Sequence, residues 1–354
     1  MRNLILMSII LSIIVLSVFS LCQAEVRYSI TDLGTLGGGG SIAFGINDNG
    51  QVVGASEIAG NSAVHAFLYD GTAMNDLGTL VGGDSYAYGI NDSGQIVGNS
   101  GGEYGDYYTH AFLYDGTTMN DLGTLGGHSR AYGINNSGQV VGEDEAGAFL
   151  YDGTTMNYLG TLVGGSSSYA LGINDSGHVV GVGFIVGGYH AFLYDGTTMN
   201  DLGTLGGSYS YANGINDNGQ VVGWSTLDGD SATHAFLYDG TTMRDLGTLR
   251  GNSYAYGIND SGQIVGDSGV GYCGRERAFL YNSTEGMLDL NNLIPSGSGW
   301  VLNYARDINN SGQIVGWGTI GRQTHAFLMT PVPEPASVLL FSFSLLCLKN
   351  RSRI

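Results

Sequence analysis

Residues 89–98 read Gly-Ile-Asn-Asp-Ser-Gly-Gln-Ile-Val-Gly, and this block decides the fold because it recurs along the chain. The steps between copies run from 39 to 50 residues. A repeat of this length is typical of β-propellers and other repeat architectures. The copies begin at Gly45, Gly89, Gly133, Gly172, Gly214 and Gly257, with a degenerate copy at Asp307.

Two further blocks recur with the same spacing, so that each block occurs seven times. One is His-Ala-Phe-Leu-Tyr-Asp-Gly, which begins at His65, His110, Gly147, His190, His234, Arg277 and His325; its third and sixth copies lack the histidine. The other is Asp-Leu-Gly-Thr-Leu, whose first leucine is Leu33, Leu77, Leu122, Leu159, Leu202, Leu246 and, degenerately, Leu290.

One unit of the repeat predicts four short antiparallel strands. In the second copy these are residues 86–90, 95–99, 111–114 and 119–125, rich in aromatic and β-branched side chains. The Asn-Asp-Ser-Gly and Asp-Gly-Thr segments between them have the composition of tight turns. Since no segment has a helical period, the sequence predicts an all-β fold.

The order of the blocks predicts a closed ring. The chain begins with the third block and ends with the second, so the last unit is divided between the two ends of the chain. We therefore predict a seven-bladed β-propeller of four-stranded antiparallel blades. Residues 28–36 complete the last blade as its outermost strand, beside residues 326–329, which removes the exposed sheet edges of an open array.

The His-Ala-Phe blocks resemble the HAF family of extracellular repeats, and the resemblance covers nearly all of residues 28–330. It implies an exported repeat protein, often with a C-terminal sorting signal. It implies no known activity and no catalytic residues.

The N-terminus has the layout of a secretory signal peptide. Met1 and Arg2 precede an uncharged apolar run at residues 4–19, and Ala24 is a suitable cleavage site. We expect residues 1–24 to be removed and residues 25–330 to form the propeller. The alternative is an uncleaved anchor, although the apolar run is short for a membrane span.

The C-terminus, residues 331–354, carries Pro333-Glu334-Pro335, then an apolar stretch at 336–348 and a basic tail at 349–353. This order resembles the PEP-CTERM sorting signal. The resemblance implies processing by an exosortase in a Gram-negative bacterium that makes exopolysaccharide. It also implies transient anchoring in the inner membrane through a transmembrane helix, before secretion or display at the cell surface. The alternative is a plain membrane anchor, since the basic tail would stay cytoplasmic.

The composition excludes some partners. The chain has a formal net charge of −19, and Lys349 is its only lysine. Nucleic acids and anionic lipid surfaces need cationic contacts, so neither is an expected partner. Divalent cations and neutral polymers such as polysaccharide remain compatible with this charge.

The sequence shows no catalytic constellation, and we predict no cofactor. A histidine repeated in five units indicates a structural role, because a catalytic residue need occur only once. Oxygen atoms of the Asn-Asp-x-Gly turns could bind calcium, but turn chemistry alone accounts for these residues. Cys273 is the lone cysteine of residues 25–330, which leaves it without an intramolecular disulfide partner.

The loops between the second and third strands differ most between units, so a ligand site is expected on their face of the ring. The predicted role is a non-enzymatic binding or structural protein of the cell surface or biofilm matrix, with polysaccharide as ligand. The alternative is a glycan lyase or hydrolase on the same face, which would need two acids or an acid–tyrosine pair. The candidate residues are Glu103, Tyr104, Asp106, Tyr107, Tyr108, Trp224, Asp228, Asp230, Tyr272, Arg275 and Trp317.

Overall fold

The structure, a computed structural model, describes residues 27–101, 109–125, 127–269 and 276–332. The predicted signal peptide with Ala24 and the sorting motif Pro333, Glu334 and Pro335 lie outside these ranges. Within them, no helix has the length and apolar character needed to cross a membrane.

Each unit of the repeat contributes an innermost and a second strand, joined by the Asn-Asp-x-Gly turn; strands are numbered β1 to β28 in chain order. The innermost strands are β2 (Gly37–Ile46), β6 (Ser85–Ile90), β10 (Ser129–Ile134), β14 (Ser167–Ile173), β18 (Gly206–Ile215), β22 (Asn252–Ile258) and β26 (Trp300–Ile308). The second strands are β3 (Val52–Ile58), β7 (Ile96–Gly101), β11 (Val140–Asp144), β15 (Val179–Ile185), β19 (Val221–Leu227), β23 (Ile264–Gly269) and β27 (Ile314–Ile320).

The Ala-Phe-Leu-Tyr block forms the third strand, and a short outer strand follows it. The third strands are β4 (Val64–Tyr69), β8 (Thr109–Tyr114), β12 (Gly147–Tyr151), β16 (Gly188–Tyr194), β20 (Thr233–Tyr238), β24 (Arg277–Asn282) and β28 (Gln323–Pro331). The outer strands are β1 (Tyr28–Asp32), β5 (Met74–Asp76), β9 (Met119–Asp121), β13 (Met156–Tyr158), β17 (Met199–Asp201), β21 (Met243–Asp245) and β25 (Gly286–Asp289). Short 3₁₀ turns occupy Asp228–Asp230 and Leu290–Asn292.

The strands surround a central channel as a β-propeller, but the predicted seven separate four-stranded blades are wrong. In the described chain, five sheets are separate four-stranded antiparallel blades, and β14 to β21 form one eight-stranded sheet. The fusion occurs where β16 pairs in parallel with β18, at Tyr189 and Tyr209. Gly188 permits this close approach, since a Cβ there would lie 2.0 Å from the carbonyl oxygen of Ser208.

The predicted closure by the N-terminal strand is confirmed. β1 pairs antiparallel with β28, with Ile30 opposite Met329 and Asp32 opposite Phe327. The sheet β26–β27–β28–β1 therefore takes its outer strand from the other end of the chain. This strand ends at Asp32, earlier than the predicted residue 36, and the backbone N–H of Leu33 still bonds to the carbonyl of Ala326.

The hydrophobic core lies between neighbouring sheets. In one cluster, Val53 and Ala66 from the first complete unit pack against Ala87, Ile96 and Phe112 from the next. The phenylalanine of each third strand is fully buried, which explains why this block is apolar on both faces. Each second strand keeps a glycine beside this ring; a Cβ on Gly98 would lie 1.8 Å from the carbonyl oxygen of Tyr86 and 2.8 Å from the Phe112 ring.

Candidate functional site

The asparagine of each Asn-Asp-x-Gly turn belongs to a closed ring of hydrogen bonds. Asn47 Nδ2 donates to the carbonyl of Asn91, and the pattern continues until Asn309 Nδ2 donates back to the carbonyl of Asn47, both at 3.0 Å. Every one of these side chains is buried. Their role is therefore to join neighbouring units at one end of the channel. The ring consists of Asn47, Asn91, Asn135, Asn174, Asn216, Asn259 and Asn309.

The residue after each asparagine forms a second ring, in which a backbone N–H donates to the next unit's side-chain Oδ1. The members are Asp48, Asp92, Asn136, Asp175, Asp217, Asp260 and Asn310. Asn136 and Asn310 also donate to carboxylates on both sides. Across residues 27–332, as far as described, no group of three His, Cys, Asp or Glu side chains could hold a metal ion. The structure thus adds no support for calcium at these turns.

The repeated histidines hold the third strand of a sheet to the residue that ends the outer strand. His65 Nδ1 lies 2.9 Å from Asp76, and the other four histidines make the same contact at 2.8–2.9 Å. The predicted structural role of the histidines is therefore confirmed, as a bond within a sheet.

One cross-strand pair between the innermost and second strands varies between units: its second-strand member changes in nearly every unit, whereas its innermost member is tyrosine in five of the seven. Because the innermost strands begin on the loop side and run toward the asparagine ring, these early positions lie near the loop-side mouth of the channel. Strands as well as loops therefore carry side chains that do not repeat. The pairs are Ile42/Ala55, Tyr86/Asn99, Arg130/Glu143, Tyr169/Val182, Tyr211/Trp224, Tyr254/Asp267 and Tyr304/Trp317.

Two of these pairs contribute to a cavity of about 300 Å³ between β22–β23 and β26. We call it the Tyr254–Tyr304 cavity, and its lining is Asn252, Tyr254, Tyr256, Asp267, Gly269, Glu276 and Tyr304. Asp267 is only 2% exposed, and its Oδ1 atom has no hydrogen-bond partner among the described residues. An unsatisfied buried acceptor is costly, so a ligand hydroxyl or water in this cavity would stabilise it.

Burial raises the pKa values of three side chains that line this cavity. It raises the pKa of Asp267 to about 6, although a hydrogen bond with Tyr256 and the charge of Arg306 lower it. Burial also raises the pKa values of Tyr256 and Tyr304, so both phenols stay protonated at neutral pH. The Arg306 guanidinium lies 4.0 Å from the centroid of the Tyr256 ring, where a cation–π contact holds it.

The channel itself is a cavity of about 340 Å³, and Asp307 on its wall departs from the repeat. Asp307 stands where the other six units have glycine, and its carboxylate accepts the backbone N–H groups of Ile46 and Ile308. Burial raises the pKa of Asp307 to about 7. Other residues on the wall include Phe44, Tyr88, Tyr132, Leu171, Asn213, Tyr256 and Arg306.

The predicted site residues have different outcomes. Trp224 and Trp317 were expected in loops, but they lie in strands β19 and β27 and stack on Tyr211 and Tyr304. Asp228 and Asp230 lie in the 3₁₀ turn, where Asp230 accepts the backbone N–H of Ser208 at 2.8 Å. The other candidates lie outside the described ranges: Glu103, Tyr104, Asp106, Tyr107, Tyr108, Tyr272 and Arg275.

Sequence reasoning missed Tyr254, Tyr304 and Arg306. Asp267, which belongs to β23, was likewise not among the candidate residues. The available signal was a departure from the repeat: an acid at 267 where two other units have tryptophan, and an arginine at 306 where three others have tyrosine.

The sheets, the channel and the lateral cavity define a β-propeller with an aromatic and acidic cavity beside its axis. A family model described as protein of unknown function, DUF3466, matches residues 34–125 and 208–305, together more than half of the chain. The chain belongs to this family. No curated protein matches the sequence.

Several solved structures are similar to this chain at low sequence identity. The extracellular domain of a protein described as a one component system from B. thetaiotaomicron has a TM-score of 0.51 and 12% identity, over 85% of this chain and 39% of that one. TolB from Acinetobacter baumannii has a TM-score of 0.45 and 14% identity, over 80% of each chain. Trypanosoma rangeli sialidase has a TM-score of 0.41 and 11% identity, over 93% of this chain and 58% of that one. The first of these similarities, with its TM-score of 0.51, supports the fold and nothing further.

Proposed function

We propose that this protein is an exported, non-enzymatic β-propeller that binds a neutral polysaccharide of the cell surface or exopolysaccharide matrix in the Tyr254–Tyr304 cavity. The observation that carries the proposal is the convergence of three tyrosines and two carboxylates in one cavity, with both carboxylates at positions where no other unit has the same residue. Such non-repeated carboxylates are not needed to build the ring.

The cavity has the chemistry that sugars require. Tyrosine rings offer flat apolar faces to the C–H faces of a pyranose, and Asp267 Oδ1 is a free acceptor for a hydroxyl group. Glu276 adds a second carboxylate at the same place. Because the chain also carries a net charge of −19, anionic polymers are disfavoured relative to neutral ones.

Binding is tested with the purified full chain immobilised on a support and with soluble β-glucan, galactomannan and polygalacturonate. At least one neutral polymer should be retained, and polygalacturonate should not. Tyr304→Ala should weaken retention about tenfold, a loss of about 1.4 kcal/mol. Tyr158→Ala is the matched control, because Tyr158 is 46% exposed on the outer strand β13. Failure to retain any neutral polymer, or equal effects of the two substitutions, would contradict the proposal.

Export is the second part of the proposal, supported by the layout of residues 1–24 and 331–354. Cleavage would follow Ala24, and an exosortase-type enzyme would process the chain at Pro333-Glu334-Pro335 after transient anchoring in the inner membrane. In a Gram-negative host with an exosortase, Glu334→Ala should leave the chain in the membrane fraction. Release of this variant into the medium at the normal level would exclude the sorting role.

A glycan lyase or hydrolase is the competing function, favoured by one specific observation. Asp267 and Glu276 line the same cavity as Tyr256, and the raised pKa of Asp267, about 6, suits a general acid. An enzyme would cleave the retained polymer and release new reducing or unsaturated ends. Turnover that Asp267→Asn abolishes, with retention unchanged, would establish catalysis in place of simple binding.

A further inference from the structure

A row of aromatic side chains leads across the eight-stranded sheet to the Tyr254–Tyr304 cavity. We call it the aromatic strip, and its members are Tyr169, Phe184, Tyr189, Tyr209, Tyr211, Trp224 and Tyr254. Each ring centroid lies 4.4–6.1 Å from that of another member. The last member, Tyr254, also lines the cavity, so the two features are continuous.

The fusion of two units makes the strip possible. The parallel pairing of β16 with β18 places Tyr189 beside Tyr209, with ring centroids 5.3 Å apart. On the far side of this junction, Tyr211 stacks on Trp224 at 4.4 Å, and Trp224 contacts Tyr254 at 5.7 Å. The contact of Trp224 with Tyr254 carries the row from the eight-stranded sheet to the neighbouring four-stranded sheet.

The strip is not part of the core. Phe192 and Phe236, from the same sheet, are fully buried in the hydrophobic core. By contrast, every strip residue keeps part of its surface accessible, and Tyr189 is 37% exposed. Aromatic pairing alone stabilises a fold most where the rings are buried, whereas a contiguous accessible row of rings is typical of a binding surface.

We propose that the strip and the cavity form one row of subsites for an extended, neutral, β-linked polysaccharide chain, such as a glucan. This inference rests on the proposed function and specifies its ligand. A β-linked glucan presents a flat C–H face at every sugar, so successive rings can hold successive sugars. A single sugar or a chain end would use the cavity and leave most of the strip uncovered.

Isothermal titration of the full chain with cellobiose, cellotetraose and cellohexaose tests the inference. We expect affinity to rise at least about tenfold from cellobiose to cellohexaose. Tyr189→Ala should remove most of this rise without changing cellobiose binding, because Tyr189 lies outside the cavity lining. Tyr158 is an exposed tyrosine outside the strip, so Tyr158→Ala should change neither the rise of affinity with chain length nor the affinity for cellobiose.

The outcomes separate the inference from the proposed function. Equal affinity for all three oligosaccharides, or an unaltered length dependence in Tyr189→Ala with a normal melting temperature, would overturn the extended subsites while sugar binding stands. Absence of binding to every cello-oligosaccharide would overturn the inferred ligand. The proposed function would then be decided by retention on the neutral polymers.

Discussion

His325 and Asp32 lie 293 residues apart in the sequence, yet His325 Nδ1 is 2.9 Å from a carboxylate oxygen of Asp32. In the four other units with the histidine, its partner follows eleven residues later. The same contact is thus made within a unit elsewhere and between the two ends of the chain here. This contact lies where the N-terminal strand β1 pairs with β28 and closes the propeller.

Deletion of residues 25–38 should destabilise the whole propeller. β1 covers the edge of β28, and Tyr28 and Leu33 are buried in two different core clusters. Losing these two side chains and the strand pairing should cost more than about 3 kcal/mol. Thermal unfolding followed by circular dichroism measures the change. A truncated protein that melts like the intact one would disprove closure by this strand.

Gly98→Ala should be among the most destabilising single substitutions in a strand. Its Cβ would lie 1.8 Å from the Tyr86 carbonyl oxygen, so two paired strands would have to separate, at about 3 kcal/mol. The control is Gly101→Ala in the same strand, where the nearest atom, Thr109 Cγ2, is 3.4 Å away. In chemical denaturation, the midpoint denaturant concentration of Gly98→Ala should be clearly lower than that of Gly101→Ala. Equal midpoints would show that the strands adjust more freely than the packing implies.

Asn135→Ala should weaken the junction between two units. Asn135 Nδ2 donates to Gln139 and to the carbonyl of Asn174, and its Oδ1 accepts the backbone N–H of Gln139. Leaving these buried groups unsatisfied should cost about 2 kcal/mol. Asn200→Ala, at an exposed outer-strand position, should change stability by less than about 0.5 kcal/mol. If Asn135→Ala lowers the stability no more than Asn200→Ala does, the asparagine ring does not hold the units together.

Asp267→Asn should stabilise the protein more at pH 7.5 than at pH 4. A carboxyl whose folded pKa is raised to about 6, from an unfolded value near 3.9, favours unfolding as pH rises through this window. The amide removes this penalty, which is at most about 3 kcal/mol at pH 7.5. Melting temperatures of both proteins at the two pH values provide the test. A difference independent of pH would mean that Asp267 ionises normally.

The repeat predicted the turns, the strands and the closure by the N-terminal strand, but the predicted seven separate blades were wrong. Turn residues, the apolar third strand and the divided last unit each correspond to a local feature, such as a tight turn or the pairing of β1 with β28. The grouping into sheets was not predictable in the same way. It depends on the close approach of Gly188 to Ser208, which arises only once both strands have been placed around the axis.

The candidate site likewise combines features that the sequence predicted with features that only the tertiary structure revealed. The sequence determined that the repeated histidines, asparagines and glycines are structural, because a residue that recurs from unit to unit serves the same contact in each unit that has it. Only the tertiary structure brought Asp267 and Tyr304 together, since these residues belong to different sheets and lie 37 positions apart. The physical reason is that a propeller sets the early positions of its innermost strands around one axis. Side chains that are distant in the sequence therefore become neighbours at the mouth of the channel.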